Sequence, residues 1–231
     1  MPKFAHTADV HIRSLSRHDE FRVVLKAFVD DCKEQNVDHI FIGGDLFHTK
    51  TTGISPEYID FMTWWLSEMA QVAPVHIVLG NHDLNLCNLS RQDAVSPIVS
   101  ALGNPRIFLY KQSGVYKIED NFNFCVFSCS DEEGWKNVKP VPGQVNIATF
   151  HGPVYGSTTE SGWEVEEEHI NVEFFKDYDF VFLGDIHKRQ FLDFERRIAY
   201  SGSTIQQNYG EELEKGFLLW EINSKIDYKT T

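Results

Sequence analysis

Apolar and polar positions along the chain fall into two textures. Up to about residue 106, short apolar runs alternate with longer segments of helical spacing. Phe4 to Asp9 and His39 to Gly44 read as strands. Val75 to Leu79 runs almost without a polar break, as in a strand covered on both faces. Between them, Phe21 to Gln35 carries apolar residues at Phe21, Val24, Leu25 and Phe28, the spacing of a helix. Pro56 to Val72 reads as a second helix, with Ser55 as N-cap and Pro56 in the first turn. Such alternation predicts βαβ units and a largely parallel sheet.

Beyond residue 106 the pattern changes to successive short strands: GVYKIE, NFCVFSC, VNIATFH, FVFLG, RIAYSG and GFLLWEI. A second sheet packed on the first, with helices outside both, accounts for them. The stretch at 153–169 is polar, glycine-containing and acidic, and reads as a mobile loop. On the second helix, Tyr58, Met62, Trp65, Leu66 and Met69 form a core stripe. Trp64 falls off it, as an exposed aromatic or a partner-facing one.

Composition narrows the class. A chain of 231 residues suits one large domain, or one domain with a small appendage, and 42% hydrophobic content supports a packed core. No apolar run reaches the roughly eighteen residues a membrane span needs, and the N-terminus turns polar too early for a signal peptide. Cys32, Cys87, Cys125 and Cys129 show no CxxC spacing and read as reduced core residues of a cytoplasmic protein. The formal charge of -13 argues against a surface that attracts nucleic acid over its whole extent. Carboxylates gathered around cations, however, do not repel phosphate as free ones do.

Chemistry concentrates at the predicted strand ends. Asp9-Val10-His11 follows the first strand, Gly43-Gly44-Asp45 through His48 the second, and Gly80-Asn81-His82-Asp83 the third; His151 and Gly184-Asp185-Ile186-His187 come later. Ligands of open α/β sheets sit beyond the carboxyl ends of the strands, so these clusters converge on one edge. Carboxylates, imidazoles and an amide brought together are mutually repulsive or unsatisfied unless cations join them. The donor set lacks thiolate, which favours manganese, iron or magnesium over a structural zinc. The ligands are too many for one four-coordinate site and suit two octahedral ions sharing a carboxylate.

DxH, GD, GNHD, His and GxxH in this order form the signature of the calcineurin-like metallophosphoesterases, which the chain resembles from residue 4 to about 222. Within them, GGDLFH, LGDIHKRQ and RIAYSGST are similar to the SbcD-type DNA nucleases. The resemblance implies a four-layer αββα sandwich of two mixed sheets flanked by helices. It implies one divalent ion held by Asp9, His11, Asp45 and His187, and a second held by Asp45, Asn81, His151 and Asp185. Mn2+ is the first expectation for both, with Mg2+ or Fe2+ as alternatives. His82 would face the leaving oxygen as proton donor or transition-state stabiliser, oriented by Asp83 or His48. DNA is the implied substrate and an SbcC-like SMC-type ATPase the implied partner; a homodimer through the Trp64 helix is a further expectation.

Two departures stand out. The family's usual GHxH is here Gly184-Asp185-Ile186-His187, which keeps a ligand but adds negative charge and weakens Lewis acidity at the second ion. The family's nucleases also continue into a DNA-binding cap and an ATPase-docking segment. Residues 1–231 are therefore expected to form the nuclease domain, with the cap absent or truncated. Lys188-Arg189 and Arg196-Arg197 contact a DNA backbone or are solvated surface. His6 reads as a hydrogen-bonded core histidine; His18, His39, His76 and His169 read as surface or locally bonded residues. The leading function is a DNA exonuclease or endonuclease. Its competitors are a phosphomonoesterase or small-molecule phosphodiesterase, and a non-catalytic scaffold for the ATPase.

Overall fold

The computed structural model describes residues 1–13, 15–48, 54–88, 90–166 and 170–231. Two six-stranded mixed sheets lie face to face. The first runs β12 (Tyr228–Thr230), β11 (Leu218–Ile222), β1 (Lys3–Thr7), β2 (His39–Ile42), β3 (Val75–Val78), β4 (Ile107–Tyr110). Its β1 to β4 are parallel, and β11 and β12 are antiparallel additions. The second runs β5 (Gly114–Glu119), β6 (Phe122–Phe127), β7 (Val145–His151), β8 (Phe180–Gly184), β10 (Ile198–Tyr200), β9 (Gln190–Phe191). Here β6, β7, β8 and β10 are parallel between antiparallel edges.

Three apolar layers follow. Between the sheets, Phe4 and Phe41 meet Phe124 and Phe182, and Trp220 stacks on Phe182 at 4.7 Å. Outside the first sheet, α1 (His18–Glu34), α2 (Pro56–Val72) and α3 (Ser96–Leu102) cover Ala5, Ile40, Ile42 and Ile77. Outside the second, the 3-10 turns at Glu132–Asn137 and Val172–Phe175, together with connecting loops, cover Phe127, Phe150 and Leu183. Burial on both faces explains why the central strands lack alternation.

Several residues read from the sequence take a definite place here, some of them against expectation. Trp64 is half-buried against the α1–α2 core, with the Arg22 guanidinium 4.4 Å from its ring centre, because the helix packs on more than its central stripe. Cys87 is exposed, so it is not a core residue. Of the surface and bonded alternatives, His39 and His76 take the bonded one. They are buried in a chain in which the Tyr110 hydroxyl reaches His76 at 2.8 Å, His76 reaches His39 at 3.1 Å and His39 reaches Glu119 at 3.0 Å. His6 is fully buried, bonded to the Leu183 carbonyl at 3.1 Å and stacked on Phe182. His18 packs on Tyr58 and Phe61. The 153–166 segment is internally bonded, with Thr158 bridged to Glu164; 167–169, His169 included, lie outside the described residues.

Candidate metal centre

The clusters converge because each leaves a parallel strand at the same edge. Beyond β1 and β2 the backbone stays paired: Asp9 N–H donates to the Gly44 carbonyl at 3.1 Å, and His11 N–H to that of Asp45 at 2.9 Å. Asp9, His11, Asp45 and Asp185 all take positive φ, of 53°, 49°, 55° and 98°. Such left-handed residues cost roughly 1–3 kcal/mol each and gather at functional sites. Two glycines leave the room. A Cβ at Gly80 would lie 2.0 Å from Asp45 Oδ1, and one at Gly44, itself at φ +98°, would lie 2.4 Å from His151 Nδ1.

Asp45 sits at the middle, with Oδ2 3.5 Å from His11 Nε2 and Oδ1 3.4 Å from His151 Nε2. Asp185 Oδ1 is 3.7 Å from the same His151 nitrogen. Asp9 accepts the Asp185 N–H on both oxygens at 3.1 Å. The Nε2 atoms of His11 and His187 are 3.0 Å apart. Ligand atoms gather within 4.8 Å as Asp9, His11 and His187; as Asp9, Asp45 and His151; and as His11, His48 and His82. Asn81 lines a cavity of about 690 Å³ with His151 and Asp185, and Asp185 also borders a second, of about 340 Å³, with His187.

The cluster's charges act strongly on one another. Burial, with Asp45 and Asp185 nearby, raises the Asp9 carboxyl well above its ordinary range. Burial and Asp45 raise Asp185. Asp45 falls to about 2, because His151 and His11 outweigh its own burial. His151 rises well above the ordinary imidazole value, its burial overcome by Asp45, Asp185 and Asp9. The imidazoles suit cations. His151 donates Nδ1–H to the Gly43 carbonyl at 2.6 Å, and His187 donates Nδ1–H to Glu211 at 2.8 Å. Nε2 of His151 therefore faces Asp45 and Asp185, and Nε2 of His187 faces that of His11. The 3.0 Å between the His11 and His187 nitrogens also matches adjacent ligands on an ion with M–N distances of about 2.1 Å.

The structure revises the expected supports of His82. Asp83 does not orient its ring. The Asp83 carboxylate is buried and accepts the N–H groups of Gly80, Leu46 and Phe47, tying the second and third strand-end loops together. His82 instead donates Nδ1–H to the backbone carbonyl of His48 and its own N–H to Asp45 Oδ1 at 2.8 Å. The His48 and His82 rings stand parallel at 5.9 Å. Lys188 bonds Thr158 Oγ1 and Arg189 is exposed. Arg196 lies over Phe191 and Arg197 over Tyr228.

Sequence reasoning missed Glu211, which sits in the run Glu211-Glu212-Leu213-Glu214 outside every motif. It missed Arg13 too, which bonds the Gln207 carbonyl beside the site.

Two mixed sheets with carboxylates and imidazoles converging at one edge define a metallophosphoesterase. The chain belongs to the calcineurin-like phosphoesterase family, whose profile matches residues 2–189. That family uses a dinuclear metal centre. It is 39% identical over 235 residues to an uncharacterized protein of Acanthamoeba polyphaga mimivirus, covering 95% of this chain but 17% of that protein. It is 33% identical over 108 residues to the DNA double-strand break repair protein Mre11 of Archaeoglobus fulgidus, covering 44% of this chain and 23% of that protein. A dimetal phosphatase from Danio rerio shares the fold, with TM-score 0.55 at 14% identity over 99% of this chain and 98% of that one. The chain thus spans a minor part of both sequence relatives. Among the described residues, no helix is long and apolar enough to cross a membrane.

Proposed function

We propose that the protein is a metal-dependent phosphodiesterase that cleaves DNA. The observation carrying the diester preference is Asp185. Two divalent cations bring four positive charges, and Asp9, Asp45 and Asp185 remove three. The single charge left matches a phosphodiester monoanion better than a monoester dianion. The Mre11 likeness and the SbcD-like flanks of the motifs support DNA as the diester.

Asp9, His11, Asp45 and His187 would hold one ion; Asp45, Asn81, His151 and Asp185 would hold the other. When bound, such a pair supplies a water of lowered pKa and neutralises charge building on the phosphoryl oxygens. The chain's own part is positional and acid–base. Asp45, gripped by the His82 N–H, is held between the two groups of ligands. His82, fixed at Nδ1 by the His48 carbonyl, offers Nε2 to the leaving alkoxide and, as imidazolium, gives it a proton.

The test compares bis-p-nitrophenyl phosphate, p-nitrophenyl phosphate and single- and double-stranded DNA in Mn2+. The diester and DNA should be cut, with the diester favoured over the monoester by at least about tenfold, a barrier difference of about 1.4 kcal/mol. Asp185→His should shift the ratio toward the monoester. A wild-type preference for the monoester, or DNA left intact, overturns this reading.

A further inference from the structure

The most heavily bonded carboxylate beside the site belongs to a residue with no part in the ligand set. Glu211 is buried, its side chain 1% exposed, yet both oxygens are occupied. Oε1 accepts from His187 Nδ1 at 2.8 Å and Asn208 Nδ2 at 2.9 Å. Oε2 accepts from Gln207 N–H at 2.9 Å, Ser203 Oγ at 3.3 Å and Lys215 Nζ at 3.0 Å. Lys215 is itself almost enclosed and pairs with Glu160 at 2.7 Å, while bonding the His187 carbonyl at 3.3 Å. A carboxylate is costly to bury, and this much organised support implies that its position matters.

That position is the outer nitrogen of His187. A neutral imidazole that donates Nδ1–H to a carboxylate presents a bare Nε2, in a fixed plane. We propose that Glu211 is the positioning residue that makes His187 a ligand for one of the two cations, and that Lys215 anchors it to Glu160 in the 153–166 loop. The inference rests on the dinuclear reading above. It predicts a one-sided effect, because His151 takes its own support from the Gly43 carbonyl.

Two measurements test it. In metal-free wild-type protein, imidazole nitrogen NMR, assigned with His187→Ala and recorded at a pH where the His187 ring is neutral, should show the Nδ1–H tautomer with Nε2 bare. In calorimetric Mn2+ titrations, Glu211→Gln should weaken one of the two sites by about 10–100-fold and spare the other. Glu211→Ala should weaken that site further, since glutamine keeps an acceptor for the His187 N–H. Circular dichroism checks that each variant folds, and where neither does, the tautomer decides. The opposite neutral tautomer, with the proton on Nε2 and Nδ1 bare, or a folded Glu211→Gln that binds both ions like wild type or weakens both equally, overturns the proposal. Wild-type protein that takes up no Mn2+ would instead sink the dinuclear reading, with the tautomer still testing Glu211.

Discussion

At the scale of single residues, the site is built by side chains whose second contacts decide what their first can do. His151, His187 and His82 each spend Nδ1 on a fixed acceptor, and so each aims Nε2 inward. For His82 this separates two roles that a simple loss of activity would not. A proton donor matters in proportion to how badly the leaving group needs the proton. His82→Ala should therefore lower kcat on DNA, which expels a strongly basic alkoxide, by roughly 10²–10⁴-fold, with KM little changed. On bis-p-nitrophenyl phosphate, whose nitrophenolate leaves without help, the loss should be much smaller. Steady-state rates on the two substrates measure this; equal losses on both would show that His82 acts through charge or position and not by proton transfer.

Among the elements, readability from sequence followed length and chemistry. Pro56–Val72 appeared with its cap, and β5, β7 and β8 to the residue, because each is bounded by turn residues or ends in a functional polar group. The strand-end clusters were readable for the same reason: Asn81-His82-Asp83 after an apolar run is costly without a partner. What escaped was short or depended on tertiary contact. β4 and β12 are four and three residues long and gain their definition from pairing with β3 and β11. Asp83 could not be told from a catalytic group, since only the fold shows the three backbone N–H groups it ties. Inside the strands the histidines divide differently. Burial drives both His6 in β1 and His76 in β3 down to about 3, so each stays neutral in the folded protein through mild acid. The unfolded chain, with imidazoles near 6.5, takes up protons that the folded one refuses. Stability is thus lost as pH falls below about 6.5, at about 1.4 kcal/mol per unit for each histidine. His6→Gln keeps a donor for the Leu183 carbonyl and cannot titrate. Its stability deficit should shrink on acidification, by about 1.4 kcal/mol at pH 5.5 and about 2.7 at pH 4.5. Denaturant unfolding at each pH reads the difference; parallel curves for wild type and variant would refute a neutral His6.

Over the whole molecule, the proposed ligand set straddles the interface between the sheets. Asp9, His11, Asp45 and Asn81 leave the first sheet, while His151, Asp185 and His187 leave the second. The two faces otherwise meet through apolar rings such as Phe4, Phe41, Phe124 and Phe182, which resist separation but bring no charge to balance the carboxylates at the edge. Cations held there as proposed would join the sheets and remove the repulsion among Asp9, Asp45 and Asp185 together. Because the unfolded chain has no such site, the binding free energy adds to folding stability. At a free Mn2+ concentration 100 times the dissociation constant, one site contributes about 2.7 kcal/mol. For a domain of this size that corresponds to a rise in Tm of about 5–10 °C per site. Melting chelator-treated protein with and without Mn2+ measures the gain. His151→Ala removes a ligand from the second sheet, and its Mn2+-dependent rise should be no more than about half that of wild type. If the variant gained as much from Mn2+ as wild type, the cations would be held from one sheet alone, and the bridge between the sheets would be lost as an explanation of the site.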